Sequence, residues 1–177
     1  MFNFQRSLKS TASLAEGLVT ICSILDKGRR NGGHMRILFL DEEKETLFQV
    51  GSVPPEKVAS NIGDLTRKID ALARYPDALS TFEIPDSENI DGGGLRFGNF
   101  LVAFSGFDPE YDEAIAFVVG TYLQELRTGE KPPFDAIKLF KRRRSPNDPD
   151  TPYRDSVTER VLSRKVVPYV FEGLKIL

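Results

Sequence analysis

The sequence predicts an α+β domain: an antiparallel sheet flanked by helices, followed by a C-terminal extension. Three observations predict it. Two pairs of short, apolar strand-like runs are each joined by a turn. Segments with apolar residues at helical spacing lie before, between and after these pairs. The charge balance then changes: residues 1–127 carry a net charge of −6 and residues 128–177 a net of +4, so the tail differs in kind from the body. The expected boundaries are 10–127 for the domain and 128–177 for a basic extension.

The first helix is expected over 14–29. Leu14, Leu18, Ile21, Cys22 and Leu25 share one face, and Ser13 with Glu16 has the spacing of a capping box. Residues before Ser10 read as a loose arm, and Asn31-Gly32-Gly33 as the helix stop. Met35–Leu40 and Thr46–Val50 follow as two strands around the polar turn Asp41–Lys44, close enough in sequence to pair antiparallel. A second helix is expected from Pro55 to Tyr75. Its stripe of Val58, Ile62, Leu65, Ile69 and Leu72 suits a helix lying on a sheet, and also one pairing with a copy of itself. Pro76 ends it, and Phe82–Ile84 reads as a short strand.

Asp91–Asp112 organises the rest. Three glycines, Gly92, Gly93 and Gly94, open it. Leu95–Phe97 and Phe100–Ser105 read as strands about Gly98-Asn99, a two-residue turn in which glycine supplies positive φ at the first position. Asp108-Pro109 then gives an N-cap and a proline at N1. The helix that follows, to Arg127, buries Ile115, Val118, Val119, Tyr122, Leu123 and Leu126. In the tail, Lys141–Arg144 is a run of four cations, Ser145–Pro152 a linker, and Asp155–Val167 a further helix before the apolar Val166–Phe171.

Composition excludes several classes. With 40% hydrophobic and 28% charged residues the chain is a globular protein rather than a disordered one. An overall net charge of −2 makes nucleic acid an unexpected partner. No run approaches the ~18 apolar residues of a membrane span, and a single cysteine forbids an internal disulfide, which together point to the cytoplasm.

The chemistry-bearing residues are few. Gly92-Gly93-Gly94 has no phosphate-loop pattern around it, which leaves a tight chain reversal or backbone N–H groups lining a pocket. Asp112 and Glu113 sit where a helix dipole favours carboxylates; alternatively one of them faces a pocket or an interface. Pointing about 100° apart, they cannot converge on one atom. His34, the one histidine, lacks partners at zinc-ligand spacing and reads first as an exposed loop residue. Cys22 reads as a buried, inert thiol. Ser105 stands outside any nucleophile-elbow motif, and no metal site or catalytic set is expected.

Gly92-Gly93-Gly94, the hairpin, Phe104-Ser105-Gly106 and Asp112-Glu113-Ala114 at a helix start together resemble the GlcG/HbpS-like family, which includes proteins tied to glycolate utilisation and to haem binding. The resemblance implies a profilin-like fold and non-catalytic binding of a small molecule or haem by a homo-oligomer. On this reading Gly92, Gly93, Gly94, Asp112, Glu113 and His34 are the candidate ligand-binding residues, with His34, Met35 or a tyrosine as the axial donor if the ligand is haem. The family's Gly-Gly-His commonly lies in the first hairpin, whereas Gly32-Gly33-His34 is expected before the first strand. Two other readings stand beside it: an adaptor module whose tail mediates assembly, and an enzyme, for which the sequence names no residue.

Overall fold

The structure, a computed structural model, describes residues 4–85 and 88–129. The chain divides into two units, Met1–Pro132 and Pro133–Leu177. The expectations for the basic run, the linker and the helix of the tail lie outside the described residues.

Helix α1 (Phe4–Leu25) leads into β1 (Asn31–Phe39), β2 (Lys44–Ser52) and α2 (Pro55–Arg74). A 3-10 turn (Thr81–Glu83), β3 (Gly94–Phe97), β4 (Phe100–Ser105) and α3 (Pro109–Thr128) complete the order. The four strands form one antiparallel sheet in the order β2-β1-β4-β3. The α+β class and both hairpins are as expected. At Gly98-Asn99 only the glycine takes positive φ, at 54°, which is the pattern of a II′ turn.

Burial alternates in the second half of β1, while β4 is buried along its whole length. Met35, Ile37 and Phe39 of β1 are fully buried. On the other side of β4, Leu101 and Ala103 pack with Leu65, Ile69 and Leu72 of α2. Each of these large side chains contributes roughly 1.5–3 kcal/mol by leaving water. The stripe of α2 is therefore covered by its own sheet over its C-terminal half, which removes it as a seam for a second copy. At the opposite end of the sheet Phe97 stacks on Phe100, with centroids 5.4 Å apart. The Arg127 guanidinium caps the Phe39 ring at 4.9 Å and pairs with Asp41 at 2.8 Å.

Four expectations are corrected. Helix α1 starts at Phe4, not near Ser13, so residues 4–9 are helical rather than part of a loose arm. Its inner face continues through Thr11 and Ser7, both buried. The hydroxyls of Thr11 and Ser13 bond back to the Ser7 and Lys9 carbonyls instead of capping anything. The helix stops at Lys27 and Gly28, which have φ of 57° and 71°, so Gly32-Gly33-His34 belongs to β1 and thus to the first hairpin. Phe82–Ile84 is not a strand: Ser80 Oγ accepts from the Phe82 N–H at 3.1 Å and caps the 3-10 turn. Finally, the Asp108 carboxylate makes no capping bond to α3. It turns to Arg30 at 2.6 Å, while Asp112 Oδ1 accepts from the Phe107 N–H at 2.8 Å and closes the same turn.

Candidate functional site

At the end of the sheet where β1 begins and β4 ends, the chain leaves a cleft of about 450 Å3. That volume lies in the range of small-molecule sites. Arg29, Arg30 and Gly32 form one wall, Gly106 the floor, and Val53, Pro54 and Pro55 an apolar side; Lys57 and Asn61 reach in from the first turns of α2. The local sequence explains the opening. Gly106 sits so close to β1 that a Cβ would lie 2.5 Å from the Gly32 carbonyl oxygen, so the strands meet there without side chains to fill the mouth. The double proline keeps the linker from β2 extended.

The lining carries three cations and no carboxylate. The arginines are paired with carboxylates outside the lining. Asp26 Oδ1 lies 2.6 Å from Arg29, and Asp108 pairs with Arg30. Lys57 has no ion-pair partner among the described residues, and Asn61, 9% exposed, makes no side-chain hydrogen bond among them.

A second polar centre is closed to solvent. Lys68 Nζ donates to the Phe104 carbonyl at 2.8 Å and to Asp112 Oδ2 at 3.2 Å. Both side chains are 4% exposed. Strand β3 starts only at Gly94, so the Phe104 carbonyl lacks a strand partner and Lys68 supplies the donor. Gly93, at φ 111°, leaves the space for this: a Cβ there would stand 2.6 Å from Asp112 Cβ and 2.9 Å from Lys68 Nζ. Burial pushes the Asp112 carboxyl up to about 6, against the opposing pull of Lys68 and the N–H groups of Phe107 and Gly106. The same burial, with Asp112 and Asp26 nearby, raises the Cys22 thiol to about 12, which leaves it a poor nucleophile.

The expected site residues thus separate. Gly93 and Asp112 meet at Lys68. Glu113, fully buried, accepts from Ser80 Oγ at 3.2 Å. Gly92 and Gly94 pack under Phe82 and Thr81, and the Gly94 N–H donates to Thr81 Oγ1 at 3.2 Å. None of these lines the cleft. His34 is neither exposed nor in a loop: it is 5% exposed within β1, and burial lowers its pKa. Its Nδ1 has no hydrogen-bond partner among the described residues. Haem does not fit the cleft, because no His, Met, Tyr or Cys is among its lining residues. Among the described residues no group of three or more His, Cys, Asp or Glu is placed to hold a metal ion, and no helix is long and apolar enough to cross a membrane.

Sequence reasoning passed over Arg29, Arg30, Lys57, Asn61 and Lys68. A signal existed for three of them. Lys57 places a cation in the first turn of a helix, where the dipole disfavours it. Asn61 and Lys68 stand three residues from Val58 and Leu65, on the apolar stripe, where a polar residue needs a reason. A scan against protein-family models matches none, and searches of curated proteins and of solved structures return no match.

Proposed function

We propose that this protein is a non-catalytic small-molecule-binding domain of the GlcG/HbpS-like kind, acting in the cytoplasm as a homo-oligomer. The observation that carries the reading is the cleft of about 450 Å3 at the end of the sheet, with convergent polar groups and an apolar side. Gly32-Gly33-His34 in the first hairpin adds support, since the family pattern has its Gly-Gly-His there. The test is a fragment screen read by amide chemical shifts. Binding predicts saturable shifts at Gly32, Gly106 and Asn61, with little change at the Phe97–Phe100 end of the sheet. Hits that leave the cleft amides still would sink the reading.

A second reading concerns the tail. Its net charge of +4 is opposite to the −6 of residues 1–127, and opposite charges on one chain favour self-association. Sedimentation velocity of the full chain and of a chain ending at Gly129 tests it. The expected result is an oligomer that falls to a single copy when the tail is removed; an unchanged mass would dismiss the tail as the assembly arm.

A further inference from the structure

Resting on that reading, we infer that the ligand of the cleft is a small organic anion bearing a carboxylate or a phosphate, held by Arg30 and Lys57 and oriented by Asn61. Four observations converge. The cleft is lined by three cations and no carboxylate, in a body whose net charge is −6. With Asp26 and Asp108 paired to the arginines, the cluster keeps one net positive charge, of the sign opposite to the body. An extended polyanion is repelled by the body, whereas an anion small enough to enter the mouth is attracted.

The donors, second, come from side chains. Pro54 and Pro55 have no N–H, and the Lys57 N–H is already bonded to the Pro54 carbonyl at 2.9 Å. The end of α2 thus offers little to an anion, and the Lys57 ammonium, without an ion-pair partner among the described residues, supplies the charge instead. Third, Asn61 is nine-tenths buried, lines the cleft and has both ends of its amide unbonded among the described residues. The unbonded amide atoms of Asn61 are not themselves buried, so they are open to the cleft and present a donor and an acceptor to a ligand that enters it.

The fourth observation sets the size and nature of the ligand. The cleft is far larger than an inorganic ion, and Val53, Pro54 and Pro55 give it an apolar side. A bare ion leaves that side wet; an organic body covers it. Asp26 and Asp108 pair with the two arginines, which limits the ordering needed when the anion docks.

The test is calorimetric titration of the full-length protein with citrate, glucose 6-phosphate, inorganic phosphate and glucose, repeated on Lys57→Gln, Arg30→Gln and Asn61→Leu. The expected result is saturable binding of citrate or of glucose 6-phosphate, tighter than inorganic phosphate, with glucose inert; the first two arms separate carboxylate from phosphate chemistry. Losing one charge-assisted contact weakens binding by about tenfold or more, and Lys57→Gln is the variant least able to disturb the fold, because Lys57 is exposed. Binding also weakens as sodium chloride rises. Anions that do not bind, that bind no better than glucose, or that bind Lys57→Gln and Arg30→Gln as they bind the parent would overturn the inference. If neutral fragments shift the cleft amides while the anions do not, the small-molecule reading stands and the anion falls; if nothing shifts them, both fall.

Discussion

Lys68→Met is expected to lower the unfolding free energy at pH 8 by about 3–5 kcal/mol, the usual cost of removing one partner of a buried ion pair. Methionine keeps the length of the stem, so the loss falls on the ammonium. Without it, the Phe104 carbonyl loses its donor and Asp112 keeps only backbone N–H groups. The effect depends on pH in a definite sense. In the parent protein the Asp112 carboxyl is raised from 3.8 to about 6. Between those values the folded state holds the proton more tightly than the unfolded one. The contribution of this group to stability is thus fully present below pH ~4, declines as pH rises to about 6, and is level above. Removing Lys68 takes away a downward pull and raises the carboxyl further, which extends the decline above pH 6. The cost of Lys68→Met is therefore larger at pH 8 than at pH 5, where the carboxyl is mostly protonated in the parent as well. Urea unfolding at the two pH values measures this. A cost that is equal at both, or below about 1 kcal/mol at pH 8, argues against a buried ion pair.

Gly93→Ala is expected to destabilise by roughly 3 kcal/mol or more. Backbone strain at φ 111° accounts for about 1–3 kcal/mol, and crowding of Asp112 Cβ, Lys68 Nζ and the Phe104 carbonyl for a further 1–3 kcal/mol or so. The new methyl presses on the same ion pair, so the effects of Gly93→Ala and Lys68→Met are less than additive. Gly63→Ala is the control. It lies within α2 with no positive φ, and nothing stands within 4 Å of its Cβ position, so no loss is expected. Thermal unfolding of the three variants decides between two roles for the glycine triplet. A Gly93→Ala protein that melts like the parent, but loses a ligand, would make the triplet a ligand-binding loop rather than packing around Lys68.

Part of the site could have been read from the chain. The α2 row Val58, Asn61, Leu65, Lys68, Leu72 steps by three and four, and two of its five members are polar. The apolar residues alone form a clean stripe, in which the two residues that matter do not show, one in the cleft and one in the buried ion pair. The inner face of α1 was hidden in the same way, because Ser7 and Thr11 read as polar although their environment is the core. Asp108 and Asp112 exchanged roles for another reason. Either carboxylate has the chemistry to close the turn, and Arg30, which draws Asp108 away, is distant in sequence.

By itself the sequence determined what depends on neighbours along the chain. The periods of two and of three to four set the strands and helices, Gly98-Asn99 set the second hairpin, and Pro109 set the start of α3. From these the antiparallel sheet with flanking helices follows. Tertiary structure decided what depends on distance in sequence. It brought Lys68 within reach of Phe104 and Asp112, placed Gly93 where a side chain would block them, and gathered Arg29, Arg30, Lys57 and Asn61 around one cleft. The physical reason is that local propensity is encoded residue by residue, whereas burial and charge pairing are properties of the neighbours a folded chain supplies.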